Sequence, residues 1–181
     1  MNKKLKLEEL KRLTVSEFKN SVKEPIVVIL DDVRSLNNIG SIFRTCDAMG
    51  VEKIYLCGIT AQPPHREIRK TAIGATESMN WEYSADALNI VKKYKNLKYS
   101  TVTVEQTSAS ISLEKYHFKN DKIVLVFGNE IEGVSQKLID ECDLSLEIPQ
   151  YGTKHSMNIS VTTGMVLWTI KMNKLLKQHE M

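Results

Sequence analysis

Cysteine is scarce in this sequence. Cys46, Cys57 and Cys142 are far apart, odd in number and form no C-x-x-C pair. That argues against a disulfide framework and a paired-thiolate zinc site, and implies a reducing, cytoplasmic setting. No apolar run has the length of a membrane span. Met1 to Lys11 alternates Lys with Leu and Glu and has no signal-peptide core, and the apolar C-terminal stretch is broken by Asn158, Thr162, Thr163 and Lys171. Neither charge sign dominates: 25 Lys+Arg against 22 Asp+Glu give +3, which is compatible with a polyanionic partner without demanding one. There is no G-x-G-x-x-G, which disfavours an ordinary dinucleotide site. Gly128-x-x-x-x-Gly133-Val134-Ser135 comes close to a phosphate-binding loop but carries Val134 where the phosphate lysine belongs, which disfavours a nucleotide triphosphatase. His65, His117, His155 and His179 have no recognisable nucleophile context.

What is present suits one α/β domain: 181 residues, 42% of them hydrophobic, with no repeat or linker. Residues 1–25 read as an N-terminal helical arm with Leu5, Leu10 and Leu13 on one face, and 26–181 as the core. Ile26 to Leu30 is continuously apolar, as in a strand covered on both faces. Ile39, Ile42, Phe43, Cys46 and Met49 then share a helical face, with Asn38 as expected N-cap and Gly50 as C-cap. Lys53 to Cys57 is a second strand, so the opening unit is strand, helix, strand, which calls for parallel pairing. Further strands are predicted at 99–104, 122–127 and 144–148, and helices at 65–72, 85–94, 136–140 and from Met157 to about Lys177. The expected fold is a mostly parallel sheet flanked by helices.

Polar groups collect at three strand-to-helix junctions: Asn38 with Arg44, Gly128-Asn129-Glu130 with Gly133, and Ser156 with Asn158. Loops at the carboxyl ends of parallel strands are where ligands bind in such sheets. Each group also has a plain structural reading. Asn38, Ser156 and Asn158 are good caps, and Glu130 suits the start of a short helix. Arg66, Arg69 and Lys70 form a basic patch that is either a solvated face or a contact for RNA phosphates.

Together the segments Asn38 to Thr45, Phe127 to Ser135, and Ile148 to Gly152 with Ser156 to Val161 resemble, in order and separation, the three motifs of the SpoU branch of the SPOUT RNA methyltransferases. Leu36-Asn37 departs from the Pro-His that often precedes the first motif's asparagine. The resemblance implies a SPOUT fold with a C-terminal deep trefoil knot, a homodimer, and transfer of a methyl group from S-adenosylmethionine to a ribose 2′-hydroxyl without a metal. It implies a catalytic centre of Asn38, Arg44, Glu130, Ser156 and Asn158, with cofactor contacts around Thr103, Gly128, Ile148 and Met157. The substrate expected is transfer RNA in preference to ribosomal RNA, because only residues 1–25 precede the first strand. The alternatives are a ribosomal-RNA enzyme and a non-catalytic RNA-binding or assembly protein of the same fold. The apolar surplus of the last helix, Val161, Val166, Trp168, Ile170, Leu175 and Leu176, exceeds what one sheet face can bury, and a partner subunit is a natural cover.

Overall fold

Because Ile26 to Leu30 is apolar at every position, it must be covered on both sides, and it lies at the centre of a sheet. A computed structural model describes residues 2–118 and 120–179, with side chains except at Leu7 and 177–179. Its strands are β1 (Glu24–Asp31), β2 (Val51–Cys57), β3 (Trp81–Ser84), β4 (Ser100–Val104), β5 (Ile111–Ser112), β6 (Ile123–Phe127) and β7 (Leu144–Glu147). They form one sheet in the order β3-β2-β1-β6-β4-β7-β5, every neighbouring pair parallel. The helices are α1 (Val15–Asn20), α2 (Leu36–Met49), α3 (Arg66–Ala72), α4 (Ala75–Ser78), α5 (Ala87–Asn96), α6 (Gln136–Glu141) and α7 (Ile159–His179).

Strand alternation sorts the core into two layers. Val28 and Leu30 of β1 pack with Ile39, Ile42 and Phe43 of α2, Ile68 of α3 and Val166, Leu167 and Ile170 of α7. Val27 and Ile29 face the other way, onto Ile90 and Val91 of α5 and Leu138 of α6. The chain winds outward from β1 through β2 to β3, then crosses to β4 on the far side of β6, so the sheet's switch point lies beside β1 and β6.

Several expectations need correction. The N-cap of α2 is Ser35, whose Oγ accepts from the Asn38 N–H at 3.3 Å. The helix starts one turn earlier than read, which releases the Asn38 side chain from capping. Helix α7 begins at Ile159 rather than Met157. Strands β3 and β5 were not foreseen. One is a half-exposed edge strand and the other has two residues, so neither shows an apolar run. In the arm, Leu5, Leu10 and Leu13 are exposed rather than packed. Its ordered turn α1 is fixed by Thr14 and Glu17, which satisfy each other's backbone N–H groups.

Helix α7 buries Val166, Leu167 and Ile170 and leaves Val161, Met165, Trp168, Leu175 and Leu176 exposed, with Trp168 at 55%. Its far end is tied to the start of β1, where Glu24 meets Lys171 and, at 2.8 Å, Lys174. Among the described residues no helix is long and apolar enough to cross a membrane.

Candidate active site

The loop after β6 is shaped by Asn129. Its N–H donates to the Gly133 carbonyl at 3.0 Å, and its own carbonyl accepts from the Gly133 N–H at 2.9 Å. The Asn129 side chain accepts from the N–H groups of Ile131 and Glu132 and donates to the Asp32 carbonyl at 2.7 Å. The turn is too tight for side chains: a Cβ on Gly128 would lie 2.2 Å from the Gly133 carbonyl oxygen, and Gly133 has φ +71°.

This turn presents Glu130 to the start of α2. The Glu130 carboxylate accepts from the backbone N–H groups of Arg34 and Ser35 and from Asn38 Nδ2, each at 3.0 Å. Partial burial raises the Glu130 pKa, but these donors, Arg34 first, outweigh it and hold the carboxyl below its ordinary value. Asn38 Oδ1 accepts in turn from Asn158 Nδ2 at 3.0 Å. Asn158 Oδ1 accepts from the Ser160 N–H at 2.8 Å, which caps α7. One hydrogen-bonded chain therefore joins the junctions after β1, β6 and β7.

Beside that chain opens a cavity of about 550 Å³ at the carboxyl ends of β4, β6 and β7. Asn38, Glu130, Ser156 and Asn158 line it, as do Gly128, Ile148 and Met157. Thr103 does not: it is fully buried and its Oγ1 is paired with Ser145 Oγ at 2.7 Å. The wall begins one residue later, at Val104. Arg44 is also outside the lining and is exposed. It lies six residues beyond Asn38, roughly 9 Å along α2 and about 120° around it, and among the described residues it has no ion-pair partner.

Arg66, Arg69 and Lys70 are exposed on α3 around a second hollow of about 540 Å³. Lys70 is 3.8 Å from Glu67. Thr71 Oγ1 donates to the Asn37 carbonyl at 3.1 Å, which fixes this helix against the first turn of α2.

Glu105, Gln106 and His155 also line the cavity and were not singled out in the sequence. Their one legible signal was position, since Glu105 and Gln106 follow β4 where ligand loops begin.

The model of the SpoU rRNA Methylase family matches residues 25–168. A tRNA (guanosine(18)-2′-O)-methyltransferase of Aquifex aeolicus is 33% identical over 165 residues, covering 88% of this chain and 74% of that protein. The 23S rRNA (guanosine-2′-O-)-methyltransferase RlmB of Neisseria meningitidis is 30% identical over 164 residues, covering 90% of this chain and 64% of that protein. Among solved structures, the A. aeolicus TrmH/SpoU tRNA modifying enzyme superposes with a TM-score of 0.80 at 26% identity, over 91% of this chain and 82% of that one. An AdoMet-bound rRNA methyltransferase of Sinorhizobium meliloti gives 0.77 at 25%, over 86% of this chain and 59% of that one.

Proposed function

The chain belongs to the SpoU rRNA methylase family, and from that premise we propose that it transfers a methyl group from S-adenosylmethionine to a ribose 2′-hydroxyl of RNA, with transfer RNA as the substrate class. The observation that carries this reading is the hydrogen-bonded chain Glu130–Asn38–Asn158 along the cavity. Similarity to the Aquifex enzyme favours transfer RNA, and the Neisseria relative makes ribosomal RNA the competing substrate. The three free, buried thiols agree with a cytoplasmic setting.

The cavity suits the cofactor. Leu146, Ile148 and Met157 offer an apolar surface for adenine, while main chain at Gly128 and polar side chains supply a few anchors. When bound, S-adenosylmethionine supplies an electrophilic methyl group on a sulfonium centre. The residues then have to orient the ribose, exclude water and ease loss of the hydroxyl proton.

Asn158 donates to Asn38, which in turn donates to Glu130, so both amides are held in fixed orientations along the cavity wall. Ser156, exposed in the lining, is in place to contact the target or the cofactor. Glu130 fixes the loop before α2 and orients Asn38.

In this reading Arg44 grips the RNA phosphate beside the target ribose and lowers the cost of the developing alkoxide, since a guanidinium presents a planar fork to phosphate oxygens. It is exposed and does not line the cavity of its own chain, so we assign it to the cavity of a second subunit. The homodimer is supported by the apolar stripe Val161, Met165, Trp168 and Leu175 on α7, which packs beside α2. The segment from Leu144 onward, whose strand β7 lies between β4 and β5, is read as the threaded part of a deep trefoil knot. Arg66, Arg69 and Lys70 supply phosphate contacts away from the reacting ribose.

Calorimetric titration with S-adenosylmethionine tests the cofactor assignment. Saturable binding at one site per chain supports it, and no heat of binding at millimolar cofactor refutes it.

A further inference from the structure

We propose that Glu105 and Gln106 form a clasp across the cavity, and that Gln106 is a positioning residue that sets how long the cofactor stays bound. The inference rests on the cofactor reading given above and concerns two residues outside the three motifs.

The two side chains follow one another at the end of β4 and tie three walls together. Glu105 Oε2 accepts from the Val134 N–H at 2.9 Å, which anchors the loop after β6. Glu105 Oε1 accepts from the Gln106 N–H at 2.8 Å, which pins the backbone carrying Gln106. From that fixed point Gln106 Nε2 donates to the His155 carbonyl at 2.6 Å, in the loop between β7 and α7. The Glu105 contact is built into the fold. A Cβ on Gly133 would come within 2.3 Å of Glu105 Oε2, so the carboxylate reaches Val134 only past a glycine.

The loop at the other end of the clasp has little else to hold it. Residues 151–156 are all exposed. Among the described residues, no other hydrogen bond joins 149–157 to the rest of the chain; Gln150 bonds only to the carbonyl of nearby Ile148. The loop contributes Gln150, His155, Ser156 and Met157 to the cavity wall. A ligand there can leave once the loop lifts, and the Gln106–His155 bond opposes that motion.

The test is the release rate of labelled S-adenosylmethionine and of S-adenosylhomocysteine, each chased with excess unlabelled ligand, from the wild-type protein and three variants. Gln106→Ala and Gln106→Glu lack the donor, whereas Gln106→Lys keeps one. Loss of one exposed hydrogen bond should speed release of both ligands by about three- to tenfold, leave association and the thermal midpoint unchanged, and raise KM for the cofactor but not kcat. Gln106→Lys should restore slow release.

The sulfonium is charged and S-adenosylhomocysteine is neutral. An effect confined to one ligand would therefore mean that charge rather than the donor matters, and would overturn the proposal. Unchanged release in Gln106→Ala, or faster release accompanied by a lowered thermal midpoint, would also overturn it. If the wild-type protein binds neither ligand, the cofactor reading falls and the clasp with it. If the wild type binds both and the variants behave like it, only the clasp is lost.

Discussion

Asn158 donates its side-chain amide to the side-chain carbonyl of Asn38 at 3.0 Å, across 120 residues of sequence. Each also has a second partner, the Glu130 carboxylate for Asn38 and the Ser160 N–H for Asn158. Asn38→Ala removes a donor and an acceptor from the middle of this chain. The expected result is a fall in turnover of about 100- to 1000-fold, the range for loss of one preorganised donor. The loss of stability should be only about 1 kcal/mol, because the site is open to water. Steady-state kinetics and urea unfolding of the variant check both numbers.

Glu130 makes the same network sensitive to acid. Its folded pKa is depressed below the ordinary carboxyl value by bonds that outweigh partial burial. Its contribution to stability is therefore complete above the unfolded pKa and is lost as pH falls through the folded one. Glu130→Gln should be less stable than wild type at pH 7, and the gap should shrink steadily below pH 4.5. Urea midpoints of both proteins from pH 7 to pH 3 give the comparison. A gap that stays constant would mean that the carboxylate's charge is not what the Arg34, Ser35 and Asn38 donors hold.

Arg44 carries the prediction about shared sites. Arg44→Ala should lower turnover roughly 100- to 1000-fold with cofactor binding and thermal stability unchanged, and Arg44→Lys should recover only part of it because an ammonium lacks the fork. Mixing Arg44→Ala subunits with Asn38→Ala subunits, after dissociation and reassembly, should regain activity, since one cavity of each mixed dimer then has both residues. No recovery, or a single-chain mass in sedimentation at micromolar concentration, would return Arg44 to its own subunit.

On α3, Arg66 and Arg69 are exposed around a surface hollow. If they contact phosphates, neutralising both should weaken RNA binding and reduce the salt slope by roughly 1.8, about 0.9 per duplex phosphate contact. Cofactor affinity should stay the same. An unaltered slope in a filter-binding series from low to high salt would make the patch a solvated face.

Much of this was legible in the sequence, for reasons particular residues make plain. Ile26 to Leu30 and Ile123 to Phe127 announce buried strands by unbroken apolar runs, and Gly50 ends α2 in a left-handed conformation at φ 69°. The junction residues Asn38, Glu130, Ser156 and Asn158 were found through motif order, and they share one cavity.

Other features had no local signature. Ser35 and Asn38 are both good caps, and only tertiary partners for the Asn38 amide decide between them. Trp81 to Ser84 becomes a strand through pairing with Ile54 to Cys57, a long-range cause. Gln106 meets His155 across 49 residues, which spacing alone does not reveal. Motif membership puts Arg44 with the cavity residues, but about 120° around α2 from Asn38 it is exposed and outside the lining.

The most direct test of the account is methyl transfer itself. Purified protein, methyl-labelled S-adenosylmethionine and unmodified RNA should yield labelled RNA. After complete alkaline hydrolysis the label should remain in an uncut dinucleotide, because a 2′-O-methyl blocks cleavage at that ribose. The predicted result is this signal on transfer RNA, formed about 100- to 1000-fold more slowly by the Asn38→Ala variant. Label released with a mononucleotide, as from a methylated base, or no transfer to any RNA by a protein that binds the cofactor, would contradict it.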